Sequence, residues 1–261
     1  IRIVPEISIP SHAGAAIRAY PRLGNPALVN EATHGGNETL WPSAASLSFV
    51  EAAFHHACSL FPSPTIHIGG ASTDWGAWES DSSLMRAGLG SGAVIERLFI
   101  DRALRALHFH GRRAAAWDTL TMAYPTPPPG TILLAHRRGD AGRRAAESSR
   151  APWVLADADI LTLSHPGRAN SSLELAHILS DHLSHTLHGE RLKGVEAAAW
   201  SSTITTPDLL FYHLLPRLLV VAEAAWHGED SLSWDMLAPL VEHEMAHLRR
   251  TVPYWNPQRS Q

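Results

Sequence analysis

Residues Phe61–Gly70 read FPSPTIHIGG, and Ala71 and Ser72 follow. A short apolar run, Ile66 and Ile68, ends there in a glycine pair. This is the pattern of a buried strand opening into a loop at the mouth of an α/β barrel. Acid–base chemistry at such a mouth needs side chains that exchange protons. Neither alanine nor serine ionises near neutral pH. The junction therefore constrains both the scaffold and the reaction it can carry.

The rest of the chain alternates strand-like and helix-like segments. The patterning predicts strands over Ile1–Ile7, Thr65–Gly70, Arg112–Trp117, Thr131–His136, Trp153–Ala156 and Val195–Trp200. It predicts helices over Ser46–Leu60, Gly92–His110, Gly139–Ser149, Ser172–Leu187, Asp208–Trp226 and Trp234–Arg250. In the last, Leu237, Leu240, Val241, Met245 and Leu248 share one face at helical spacing. Such alternation implies parallel strands with crossover helices. No internal repeat or low-complexity linker divides residues 1–261, so a single domain is expected.

Composition excludes several classes. The chain has 261 residues, 45% of them hydrophobic, enough for a sizeable core. The formal net charge is -4 and Lys193 is the sole lysine. No basic stripe with interleaved aromatics suggests nucleic acid. The most apolar run, Leu209–Ala225, is interrupted by Tyr212, His213, Pro216, Arg217 and Glu223, which argues against a membrane span. Cys58 is the only cysteine, so an intramolecular disulfide and a cysteine-based zinc cluster are ruled out. Its place in the run Phe54, Cys58, Phe61 reads as a buried thiol.

Three stretches carry a family resemblance: VPEISIPSH (Val4–His12), AYPRLG (Ala19–Gly24) and LFPSPTIHIGG (Leu60–Gly70). Weaker support comes from AAAWDTL (Ala114–Leu120), KGVEAAAW (Lys193–Trp200) and LLPRLLVVAEAAW (Leu214–Trp226). In order and spacing the chain resembles the family 20 glycoside hydrolases, the β-N-acetylhexosaminidases. The resemblance implies an α/β fold of the (β/α)8 TIM-barrel type, here incomplete, with about six βα units beginning near the third strand. A barrel short of two strands exposes sheet edges, so a partner or a further segment of chain is expected over the opening.

The resemblance also implies a reaction: hydrolysis of terminal N-acetylhexosamine from glycans or chitin oligomers. The sugar's own acetamido carbonyl attacks the anomeric carbon, so no enzyme nucleophile is required. In the family an Asp-Glu pair follows the glycines. The Asp orients the acetamido group and the Glu protonates the leaving oxygen, a step typically contributing about 10²–10⁴-fold. Here that pair is Ala71-Ser72. Ser8 and Ser11 replace an Asp and a Gly of the third-strand signature. His136 stands for a family tryptophan, Thr162-Leu163-Ser164 falls near its Tyr-x-Asp, and Trp200-Ser201-Ser202 takes the place of its Trp-x-Glu. Weakened or abolished catalysis is the expectation, with sugar binding weak or lost.

The pocket residues that still match the family are His12, His67, Trp117, Asp118 and Trp200. Trp117 and Trp200 fit either as walls for a sugar ring or as barrel-rim packing. His67, within a strand, fits a buried histidine holding a neighbour's carboxylate. Asp74 and Glu79 are the nearest carboxylates after the lost pair and read as solvated loop charges. Asp157 and Asp159, two apart, would share one strand face and read as strand-end caps rather than as an acid–base pair.

One motif competes. His243-Glu244-Met245-Ala246-His247 fits H-E-x-x-H, which on a helix turns two histidines toward one zinc with the Glu as base. The fourteen residues after His247 supply no third ligand, and a zinc-dependent metallohydrolase stays the alternative from another class. The hexosaminidase reading calls for no cofactor and no metal. Asn37-Glu38-Thr39 and Asn170-Ser171-Ser172 are N-glycosylation triplets. A secreted or lysosome- or vacuole-like location is expected if the full-length protein carries a signal peptide.

Overall fold

A computed structural model describes residues 1–31, 38–71, 73–164 and 172–251. Asn37 and Asn170, and with them both glycosylation triplets, fall on or against residues outside this set, as does Ser72. The strands follow chain order, β1 to β6, and the pairings are parallel. The chain divides into two compact units, Ile1–Leu134 with Ser148–Pro152 and Ala135–Glu147 with Trp153–Gln261.

The first unit carries β1 (Glu6–Ile9), α1 (Gly14–Ala19), α2 (Ala44–Leu60), β2 (Thr65–Gly69), the short α3 (Gly76–Glu79) and α4 (Ser82–Arg86), α5 (Gly92–Phe109), β3 (Arg113–Trp117), α6 (Leu120–Ala123) and most of β4 (Ile132–Ala135). Every residue of β2 is buried, as expected for a parallel strand covered on both faces. α2 starts where Ser43 accepts a hydrogen bond from the Ser46 amide at 3.1 Å, a serine N-cap. α5 starts in the same way at Ser91, which accepts from Val94. The two helices pack side by side. They bury Val50, Phe54, Ala57 and Cys58 from one and Ile95, Phe99, Ile100, Ala103 and Leu107 from the other. Each fully buried phenylalanine stabilises the fold by about 1.5–3 kcal/mol.

The second unit carries α7 (Asp140–Ser149), β5 (Trp153–Leu155), α8 (Ser172–Thr186), β6 (Leu192–Val195), α9 (Pro207–Leu214), α10 (Arg217–His227) and α11 (Trp234–Thr251). Its core holds Trp153, Leu179, Leu183, Val220, Val221, Leu237 and Val241.

Three expectations need correction. The first strand, expected over Ile1–Ile7, covers Glu6–Ile9 instead. The helix expected over Asp208–Trp226 is two helices bent by 49°. Pro216 sits between them, and proline supplies no amide for a continuing helix. The last strand lies earlier than Val195–Trp200. Only Ala198 of the later stretch forms a bridge, a parallel one to Thr162, because the alanine run lacks the β-branched and aromatic side chains that favour strands. Among the described residues no single helix is long and apolar enough to cross a membrane.

Candidate functional site

The end of β2 explains its glycine pair. Gly69 and Gly70 have φ of 78° and 70°, the left-handed region that other residues rarely adopt. A Cβ on Gly69 would lie 2.7 Å from both the Ser8 Cα and the Ile9 nitrogen. Only glycine lets β1 and β2 approach this closely.

Past the glycines the backbone is pinned from several sides. The Thr119 hydroxyl donates to the Gly70 carbonyl. Ser11 Oγ donates to the Ala71 carbonyl at 3.2 Å. Thr73 Oγ1 lies 3.2 Å from the Ala71 carbonyl and 3.2 Å from Glu96 Oε1. The Trp75 indole donates to Glu96 Oε2 at 2.7 Å. Glu96 projects from α5 and is only 3% exposed. Burial pushes its carboxyl above the ordinary value, against the pull of its hydrogen bonds from Trp75 and Thr73. The indole of Trp75 also rests against Gly92, where a Cβ would meet its Cβ and Cγ at 2.2 Å. The loop that leaves β2 is thus seated on the first two turns of α5.

A second carboxylate lies at the start of β1. Glu6 Oε1 accepts the Trp117 indole hydrogen at 3.0 Å and lies 3.3 Å from His67 Nδ1. His67 and Trp117 meet edge to face at 4.9 Å. His67 Nδ1 also lies 3.1 Å from the Gly69 amide that donates to it. One nitrogen serves one partner at a time: a lone pair toward Gly69 or a proton toward Glu6. Burial raises the Glu6 pKa, but hydrogen bonds and charge from His67, the Trp117 indole and the charge of His12 together lower it below the ordinary value. Glu6 therefore stands as a carboxylate near neutral pH. His67 Nε2 and Ser8 Oγ are buried with no hydrogen-bond partner among the described residues.

Of the residues singled out from sequence, the structure brings His67 and Trp117 together. His12 lies close enough for its charge to act on Glu6, is exposed and has φ of 57°. Asp118 directly follows Trp117 and is fully buried. Its amide donates to the Leu134 carbonyl and its own carbonyl accepts from Thr121. Trp117 is only 7% exposed. Trp200 belongs to the second unit, is 41% exposed and meets His136 edge to face at 6.4 Å. Ala71 is half-buried at the end of the glycine pair.

The other carboxylates behave locally. Asp74 is exposed and accepts from the Gly76 amide at 2.9 Å. Glu79 accepts from the Gly92 amide at the start of α5 at 2.9 Å. Asp157 lies past the end of β5, so it shares no strand face with Asp159. It accepts the Asp159 amide at 2.8 Å, closing a turn, while Asp159 pairs with Arg138. His243 and His247 lie exposed on α11. Among the described residues no group of three or more metal-ligating side chains comes together.

Glu6 and Glu96 were missing from the sequence-derived set. Glu96 had a legible signal. It precedes Phe99, Ile100 and Ala103 by three, four and seven residues, so it puts a carboxylate on the apolar face of α5. Glu6 lies inside VPEISIPSH, but only the register of β1 against β2, with Glu6 opposite His67, shows what it meets.

Residues 1–229 match the catalytic domain of glycosyl hydrolase family 20. A β-N-acetylhexosaminidase of Cellulomonas fimi is 27% identical over 282 aligned residues, 98% of this chain and 50% of its own length. A β-hexosaminidase of Porphyromonas gingivalis is 25% identical over 87% of this chain and 31% of its own length. The chain thus spans half or less of these relatives. Among solved structures, the exo-β-N-acetylglucosaminidase of Vibrio harveyi in complex with N-acetylglucosamine superposes with a TM-score of 0.80 at 23% identity. It covers 98% of this chain and 43% of that one. The β-N-acetylhexosaminidase of Streptomyces coelicolor gives 0.76 at 22% identity, over 98% of this chain and 53% of that one. These likenesses establish the fold: the α/β architecture is that of a partial (β/α)8 barrel.

Proposed function

The chain belongs to glycosyl hydrolase family 20, and on that footing we propose that its β-hexosaminidase-like domain holds terminal N-acetylhexosamine weakly and does not cleave it. One observation carries this reading. The residue at the end of the glycine pair is Ala71, whose methyl group cannot orient an acetamido group, and Ser72 beside it is far too weak an acid to protonate a leaving oxygen.

The two buried or half-buried carboxylates nearby do not replace the missing pair. A general acid must carry a proton when the bond breaks. Glu6 is held ionised by His67, Trp117 and His12. Burial raises the pKa of Glu96, but both its oxygens are engaged by Thr73 and Trp75 beneath the loop. It is therefore turned toward its own loop rather than toward a substrate.

Sugar binding is favoured by the aromatic side chains. A pyranose lays its C–H face on an indole, burying apolar area while its hydroxyls stay hydrogen-bonded. Trp200, the more exposed of the two family-matched tryptophans, offers such a face. The substrate class is that of the relatives, which are hexosaminidases.

Two assays test the reading. With a chromogenic N-acetylglucosaminide the expected rate equals the buffer blank; turnover clearly above it overturns the claim of lost catalysis. N-acetylglucosamine titration followed by tryptophan fluorescence should saturate near the millimolar range, about 4 kcal/mol of binding free energy, and Trp200→Ala should abolish the change. A flat titration removes the binding claim.

A further inference from the structure

We propose that His55 and His110 form a two-imidazole site for Cu(II) or Ni(II), at the end of the first unit opposite the glycine-pair loop. In β/α units the strand C-termini and helix N-termini share one end. His110 caps the C-terminus of α5 and His55 lies in the C-terminal half of α2, so both belong to the other end.

The hydrogen-bonded separation is already close to that of two neighbouring ligands of one ion. His55 Nδ1 and His110 Nε2 are 2.9 Å apart. Metal–imidazole bonds of about 2.0–2.1 Å span that separation when the two nitrogens subtend about 90° at the ion. That angle suits the tetragonal or square-planar preference of Cu(II) and Ni(II). A tetrahedral Zn(II) needs the nitrogens about 3.3 Å apart. Copper also sits at the top of the affinity order for nitrogen ligands.

The surroundings support the assignment. Both rings are half-buried and brace against Phe109, edge to face at 5.4 Å for His55 and 5.1 Å for His110. His55 projects from α2 and His110 from the C-cap of α5, and the two helices pack side by side. The C-terminal end of α5 favours a cation. No third side chain completes the set among the described residues, so water fills the remaining positions and the ion exchanges readily.

Loading requires no net loss of a proton when both rings are neutral. The hydrogen that lies between the two nitrogens moves to the outer nitrogen of its own ring. Two lone pairs then face the ion, each forming one bond to it. Protons compete for the same lone pairs, so affinity falls in acid.

The test uses the whole chain with His243→Gln and His247→Gln in place, which removes the i,i+4 histidine pair of α11. CuCl2 is titrated against ZnCl2, with EPR and thermal melts as readouts. Expected are a Cu(II) signal coupled to two imidazole nitrogens, a rise in Tm on loading, and tighter binding of Cu(II) than Zn(II). His55→Gln and His110→Gln should each weaken Cu(II) binding by at least about tenfold and erase the rise in Tm. Copper binding unchanged in either variant overturns the proposal. So does an EPR signal from the parent with fewer than two imidazole nitrogens, a readout that holds even if a variant fails to fold.

Discussion

Replacing Gly92 by alanine tests how the loop after β2 is held. The added Cβ would lie 2.2 Å from the Trp75 Cβ and Cγ, a separation that no two carbon atoms sustain. Trp75 has to leave its seat or the start of α5 has to shift. Overpacking of this kind costs about 1–3 kcal/mol. Moving the indole also breaks its 2.7 Å hydrogen bond to Glu96 and leaves a buried carboxyl short of a donor, a further cost of about 1–3 kcal/mol. Alanine returns at most about 1 kcal/mol of helix propensity, and less at the first residue of a helix. Taken at mid-range, these terms leave a net loss of about 3–4 kcal/mol. For a chain of this size each kcal/mol moves Tm by about 2–4 °C, so a fall of about 5–15 °C is expected. Thermal denaturation followed by circular dichroism measures it, and near-ultraviolet dichroism reports the displaced indole. A Gly92→Ala protein with an unchanged Tm and an unchanged near-ultraviolet spectrum would refute the seat as drawn.

The two carboxylates should give opposite pH signatures. Glu96 has a raised pKa, so its contribution to stability is complete below the unfolded-state value of 4.5 and is lost as pH rises through the folded-state value; Glu96→Gln should remove that loss in urea melts taken across the range. Glu6 has a lowered pKa, so its contribution is present above 4.5 and disappears as pH falls through the folded-state value; Glu6→Gln should leave the acid limb of the stability profile shallower. Ser43→Ala deletes the N-cap of α2 and should cost about 1 kcal/mol, seen as a lower urea midpoint at constant slope. Restoring the pair with Ala71→Asp and Ser72→Glu should leave hydrolysis of a chromogenic N-acetylglucosaminide at the blank, because His136, Ser164 and Ser202 also depart from the family pattern; a gain in turnover would show that the pair alone was limiting.

Much of the fold was legible in the sequence. The helices α2, α5, α7, α8 and α11 lie within a few residues of their expected spans, since their apolar residues recur at helical spacing and their caps are local signals. Proline at 216 was also in plain view, yet the long apolar run around it outweighed the break it imposes. The alanine-rich end of the sixth strand was overextended because apolarity alone does not make a strand. The spacing of Asp157 and Asp159 reads as strand-end caps, and the Asp157 side chain does close the turn just past β5; the strand stops before them, so no shared strand face forms.

Sequence by itself determined the scaffold and carries the proposal that its acid is missing, because both rest on side-chain identity along a contiguous stretch: strand, glycine pair, then alanine and serine. Tertiary structure decided what the remaining polar groups do. Glu6, His67 and Trp117 are sixty-one and fifty residues apart along the chain and converge only through parallel pairing of β1, β2 and β3. Glu96 meets Trp75 across a loop, and His55 meets His110 across two packed helices. Ionisation and ligand geometry depend on distance and burial, which spacing along a chain does not specify until the chain has folded.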